Sequence, residues 1–299
     1  MSGQVKTTDL KGDLPVRQLG NQEVDTVGLV SHLTKYAVTI HSAIEIKFHL
    51  EKALFLANSG RKGPVWVDIP LDIQGAEIEP DELTGYCPPE LQTKDLKGDL
   101  SALVLNKLLS AERPVLLVGN GVRASSAIEA FREFVAETKI PTLTTWLAMD
   151  LIPDENQFFF GRPGGMAPRG ANFTLQNADF LLVVGARVDM GLVGYSYENF
   201  ARGAFKVIVD IDPGELRKFG KIADVCVCQD ALPFFNNLLK RIRASVHQLN
   251  HVVWRTKCEE WKVRYPLLVS DHQDPNKKIS AYFFSDRLSC LLGSGDIIS

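Results

Sequence analysis

Hydrophobic and polar positions follow two regimes along the chain. From about Ser101 onward, short unbroken apolar runs alternate with stretches of helical spacing. PVLLV, PTLTT, FLLVV, FKVIVDID and DVCVCQ read as strands, and unbroken runs of this kind mark parallel strands covered on both faces. SALVLNKLLSAE, SSAIEAFREFVAETK and the segment from 231 to about 246 carry apolar residues on one helical stripe. The alternation predicts an α/β fold, a doubly wound parallel sheet in three α/β/α layers spanning residues 95–248.

Ahead of Ser101 the pattern is sparser. Residues 42–59 are helical in spacing and stop at Gly60, a suitable cap, and GPVWVDIP follows as a strand closed by Pro70. The next stretch, LDIQGAEIEPDELTGYCPPE, is polar and proline-punctuated, which predicts an extended linker. Near the other end, ISAYFFSDRLSCLLGSGDIIS predicts a helix and then the opening of a strand. Both flanks are thus partial α/β segments. One strand and one helix cannot bury their apolar faces alone, so exposed apolar surface is expected at both ends, with aggregation or a partner as its outcome.

Composition narrows the function. At 299 residues with a formal charge of -3 and interspersed signs, no basic face is offered to nucleic acid or to an anionic membrane. No apolar run is long enough to span a bilayer, and MSGQVKTTDLKGD has no hydrophobic signal core. The five scattered cysteines suit a reducing, cytoplasmic setting. Cys226 and Cys228 form a CxC pair without a second pair or a nearby histidine, so a core role is expected rather than zinc, and no metal site is assigned. The histidines lack ligand spacing as well.

Three motifs could carry chemistry. VGNGVRAS makes a GxGxxA turn of Gly119, Gly121 and Ala124 between a strand and a helix, where backbone amides can meet a phosphate. Close helix–strand packing explains the same glycines equally well. A NAD site also wants an acid at the end of the next strand, where PTLTTW offers Thr144 and Thr145. VIVDID ends a buried strand on Asp210, a carboxylate that must be paired, hydrogen-bonded or facing a ligand, while Asp212 before Pro213 reads as a helix cap. Residues 161–172, GRPGGMAPRGAN, carry four glycines and two arginines that could grip phosphate. Together Gly119, Thr144, Gly165, Arg187 and Asp210 are expected at the carboxyl ends of strands on one edge of one sheet, which favours a nucleotide-sized ligand. There is no GxSxG, HExxH or GxxxxGK[ST].

RQLGNQEVD, TKY, GRKGPVWVDIPLDIQ, GARVD and VDIDPGEL, in this order, resemble thiamine diphosphate-dependent enzymes of the acetolactate synthase type. The resemblance implies three α/β domains in the complete enzyme. Residues 1–90 would be the end of its pyrimidine-binding domain, 95–248 its whole central domain, and 275–299 the start of its pyrophosphate-binding domain. It implies thiamine diphosphate and magnesium as cofactors, a 2-keto acid as substrate, and a homo-oligomer or complementing subunit. Gln22 and Glu23 resemble the family's FQE segment near the cofactor. Arg61, Gly119, Gly121, Thr144, Thr145, Gly165, Met166, Gly185, Arg187 and Asp210 match positions that contact a non-redox FAD in acetolactate synthases. Flavin stays open, because the family's RFDDR reads RVDMG here and the lysine of its PKDV motif is Leu71. The catalytic glutamate falls before the segment matching Met1, the GDG metal motif falls after that matching Ser299, and no GDG occurs here. The chain alone is therefore expected to be inactive, with a non-catalytic nucleotide-binding or subunit-interaction module as the alternative.

Overall fold

The computed structural model describes residues 1–89, 100–220, 222–245, 249–274, 276–293 and 295–298. The chain forms two compact units, Met1–Asp95 and Leu96–Ser299. Both ends of the expected 95–248 span, and the helix end near Val246, lie outside the described residues.

The first unit contains α1 (Thr26–Val30), β1 (Ala37–Thr39), α2 (Ile46–Asn58), β2 (Trp66–Asp68) and α3 (Leu71–Gln74). β1 and β2 pair in parallel, with Ala37 opposite Trp66 and Thr39 opposite Asp68. Ser2 adds a bridge on the far side of β2, donating its N–H to Val67 O at 3.1 Å and accepting from Ile69 N–H at 2.8 Å. Among the described residues, Ile40, Ala53 and Val67 form the buried apolar cluster of this unit. Leu29, Leu33, Ile44 and Leu54 each leave well over half their surface in water, as the pattern predicts for a segment short of companions. The linker departs from expectation at its start. Leu71–Gln74 is a helical turn, because Pro70 leads into it and Asp72 accepts the backbone N–H of Thr7 at 3.0 Å as well as its hydroxyl. Further on, Tyr86 packs its ring near Phe48 and Phe55 and gives its N–H to Glu51 at 2.7 Å.

The second unit runs α4 (Leu100–Ser110), β3 (Pro114–Val118), α5 (Gly121–Ala124), α6 (Ile128–Thr138), β4 (Thr142–Thr144), α7 (Arg169–Gln176), β5 (Phe180–Val184), α8 (Met190–Val193), β6 (Phe205–Asp210), α9 (Pro213–Arg217), β7 (Val225–Cys228), α10 (Ala231–Ala244), α11 (Val252–Arg264) and α12 (Ala281–Leu291). Its five strands are parallel in the order β4-β3-β5-β6-β7. Alternate strand residues feed opposite faces. Leu116, Val118, Leu182, Val184, Val207 and Val209 meet side chains of α4, α6 and α10, among them Leu108, Phe131 and Phe235. Val115, Leu117, Leu181, Val183 and Ile208 meet α7, α9 and α11 through Leu175, Leu216 and Trp254. That is the doubly wound, three-layer arrangement read from the apolar runs.

Three details were not in the pattern. Residues 158–161 run beside β4 and cover its outer edge: Thr142 N–H donates to Phe158 O at 2.8 Å and Phe160 N–H to Thr142 O at 2.9 Å. Lys206, inside an apolar strand, is buried with its Nζ donating to Ala201 O at 3.1 Å and Ala204 O at 2.9 Å. The segment after α12 forms no strand among its described residues, since no neighbouring strand is there to pair with it. The CxC pair divides. Cys226 is exposed on edge strand β7 with its Sγ donating to Leu216 O, so its expected core role is corrected, whereas Cys228 is half-buried, donates to Ile211 O and packs against the core.

Candidate functional site

Strand order reverses at β3: β4 lies on one side, β5 to β7 on the other. Ligands in such sheets bind outside the carboxyl ends at this switch point. Register brings Val118 between Thr144 and Val184, and Asp210 beside Cys228, so the carboxyl ends of all five strands share one edge with the turns that follow them.

At the switch point two turns lock together. Gly119 donates its N–H to Val184 O at 3.0 Å, Gly121 to Gly185 O at 2.9 Å, and Gly185 to Val209 O at 2.9 Å. A Cβ on Gly119 would stand 2.3 Å from Gly185 O, and one on Gly121 2.7 Å from Gly185 Cα. Gly185 itself has φ +59°, a backbone that glycine adopts without steric cost. Packing alone thus requires glycine at these three positions, and the amides of Gly119 and Gly121 are already donated.

Thr144 ends β4 fully buried, and its Oγ1 has no hydrogen-bond partner. A buried hydroxyl without a partner is uncommon enough to need a reason. Thr145 is half-buried and gives its N–H to Val118 O at 2.9 Å. The glycine-rich loop then crosses the edge. Thr144 N–H reaches Gly161 O at 3.2 Å, and Gly165 N–H reaches Gly191 O at 3.0 Å, beyond the end of β5. Asn172 of α7 clamps Gly164, accepting its N–H and donating to its carbonyl, both at 2.9 Å. Gly165 therefore lies in a loop carried to the edge and not on a strand end, with Met166 81% exposed beside it.

The two loop arginines face their own chain. Arg162 binds Asp154 at 2.8 Å and Met149 O at 3.3 Å and lies over the Phe159 ring. Arg169 lies over Tyr265. Arg187, after β5, is exposed, and its carbonyl accepts Lys218 Nζ at 2.6 Å. The next residue, Val188, is buried at φ +50°, a conformation that costs a β-branched residue roughly 1–3 kcal/mol. Asp189 caps α8 by accepting Gly191 N–H at 3.0 Å, which is the acid's place in GARVD. Asp210 is half-buried and accepts Asp212 N–H at 2.9 Å, while Asp212 caps α9 through Gly214 N–H at 2.7 Å, as its position before Pro213 predicts.

Gln22, Glu23 and Arg61 belong to the first unit. Gln22 is exposed at φ +62° and accepts from Gln4 Nε2. The Glu23 carboxylate accepts three backbone N–H groups, from Lys11 and Leu19 at 2.7 Å and from Gly20 at 3.2 Å. The Lys11 bond, then the Leu19 bond, hold its pKa below the usual carboxylate range. Arg61 is exposed in the turn between α2 and β2. Among the described residues no cluster of three His, Cys, Asp or Glu could hold a metal ion, and no helix is long and apolar enough to cross a membrane.

Sheet order, switch point and glycine-bearing edge define the second unit as a doubly wound α/β domain, a class that takes ligands at its carboxyl edge. Residues 102–238 match the family model of the thiamine pyrophosphate enzyme central domain. The chain belongs to the thiamine diphosphate-dependent, acetolactate synthase-like family. It is 36% identical over 273 residues to a probable acetolactate synthase 2, chloroplastic, of Oryza sativa subsp. japonica, covering 86% of this chain and 40% of that one. It is 31% identical to the acetolactate synthase large subunit of Corynebacterium glutamicum, covering 91% and 43%. With the acetolactate synthase isozyme 2 large subunit of Escherichia coli K12 it shares 32% identity over 82% and 44%. The chain spans less than half the length of these curated relatives.

Proposed function

We propose that the chain is part of a thiamine diphosphate-dependent enzyme that decarboxylates a 2-keto acid and passes the remainder to an acceptor or a proton, and that residues 1–299 alone are inactive. The supporting observation is the family match over the central domain, joined to relatives named acetolactate synthase that align with most of the chain. Thiamine diphosphate, when bound, supplies the electron sink for loss of carbon dioxide. The described residues do not fit a magnesium diphosphate: they hold no metal-binding cluster, and the Glu23 carboxylate is committed to three amides. No catalytic step is therefore assigned to this chain. Its proposed part is to supply the central domain of an assembly in the cytoplasm, while exposed apolar residues of the first unit, Leu29, Leu33 and Ile44, meet another copy or a complementing polypeptide.

The test is carbon dioxide release from pyruvate by the purified chain with added thiamine diphosphate and magnesium. None is expected, and sustained release overturns the inactivity. In source cells, an antibody against the second unit is expected to detect a product well above this chain's 33.1 kDa.

A second reading, a non-catalytic nucleotide-binding module, is favoured by one observation: the buried, unpartnered Thr144 hydroxyl at the carboxyl edge. The fit to FAD is partial. Gly165, Met166 and Arg187 are exposed to a ligand there, whereas the amides of Gly119 and Gly121 and both loop arginines are engaged. Saturable FAD binding without thiamine diphosphate binding would favour this reading over the first.

A further inference from the structure

Helix α11 is seated on the second unit by its apolar residues. Trp254 donates its Nε1–H to Pro114 O at 3.1 Å, Cys258 is fully buried, and Trp261 packs edge-on against Trp254 at 5.7 Å. Across the interface, Phe173 of α7 packs at a tilt against Trp261 and edge-on against Tyr265, and α7 passes so closely that a Cβ on Gly170 would lie 3.1 Å from the Trp261 backbone. Such a close-packed contact either holds or opens as a unit.

At the head of this helix stands His251, its N-cap residue, 8% exposed, with its Nε2 buried and without a hydrogen-bond partner. The charged groups around it offer an added proton little. Asp179 faces it from the segment entering β5, but its two oxygens accept Glu112 N–H at 2.9 Å and Arg113 N–H at 2.8 Å. Arg255 lies one turn along α11, a like charge to an imidazolium. Arg113 turns its guanidinium to Asn177 O at 2.8 Å and to Glu112. The N-terminal end of a helix also disfavours a cation.

We propose that α11 is an acid-releasable strap: a proton on His251 loosens α11 from α7 and from the head of β3 while the sheet stays folded. Burial pushes the imidazole below its ordinary value, Asp179 opposes that shift and Arg255 reinforces it. The undocked helix thus binds the proton more readily than the docked one. Docking is complete above about pH 6.5 and weakens as pH falls through the lowered value.

Hydrogen exchange of the full chain, corrected for intrinsic rates, tests this at about pH 7.5 and about pH 5.5, on either side of an ordinary histidine. The amides of Val252–Arg264 are expected to lose protection at the lower pH while those of β3 and β5 hold. His251→Gln is expected to abolish that difference. An NMR titration of His251 in the parent chain, needing no variant, is expected to fall below about 6.5. Equal loss of protection in β3 and β5, an unchanged response in His251→Gln, or a titration at or above that value each overturns the proposal.

Discussion

The two units apply the same strand chemistry with opposite completeness. In the second, every strand of a five-membered parallel sheet except the edges has a neighbour on each side, and both faces are covered by helices. In the first, two three-residue strands and a bridging serine enclose an apolar cluster of three among the described residues, and leucines and an isoleucine on α1, α2 and the turns between stand in water. A parallel sheet depends on cover from both sides. The difference shows that strand formation does not make a core; the number of layers does.

The comparison can be broken most sharply at the packing centre. Phe235, fully buried between Phe131 and Phe134, is expected to cost about 3–5 kcal/mol when changed to alanine, read as a lowered midpoint of denaturant unfolding. Val67→Ala in the first unit is expected to leave that main transition in place; a shift matching that of Phe235→Ala would show the units to be one cooperative body. Glycines give an intermediate contrast. Gly119→Ala forces a Cβ against backbone that cannot swing aside and is expected to cost roughly 2–3 kcal/mol by the same measurement. Gly60→Ala meets open space at φ +55°, so only its backbone preference is lost, roughly 1–2 kcal/mol.

The smallest expected effect is local and pH-dependent. Because the pKa of Glu23 is depressed in the fold, its three amide bonds add stability above the ordinary carboxylate value, and this is lost as pH falls through the depressed one. The Lys11, Leu19 and Gly20 amides should lose protection, relative to their intrinsic exchange rates, below about pH 4 in the parent chain. In Glu23→Gln that protection should vary little with pH.

The second unit was largely legible because its strands are unbroken apolar runs, and such runs leave little choice but a sheet covered on both sides. β1 was not, since Ala37–Thr39 is too short and mixed to signal a strand without its partner Trp66–Asp68. α11 was missed for a different reason: only Trp254, Cys258 and Trp261 face inward, while Val252, Val253 and Val263 are exposed and blur the stripe. At the candidate edge, Thr144 and Asp210 are strand ends that any reading of the runs would find. The joining of Gly165 to Gly191, and the turning of Arg162 toward Asp154, are long-range closures that no local pattern carries.

The reversal of strand order also has a meaning in time. β3 meets β4 by pairing Leu116 with Thr142, but meets β5 by pairing Pro114 with Phe180, across more than twice the length of chain. Closing the longer loop costs roughly 0.6–1 kcal/mol more in entropy, and it cannot begin until the later segment has been synthesised. One flank of β3 is therefore occupied first, and the other waits. During that interval Gly119 and Gly121 have no turn to lock against, and the sheet is open at the place where it later becomes tightest.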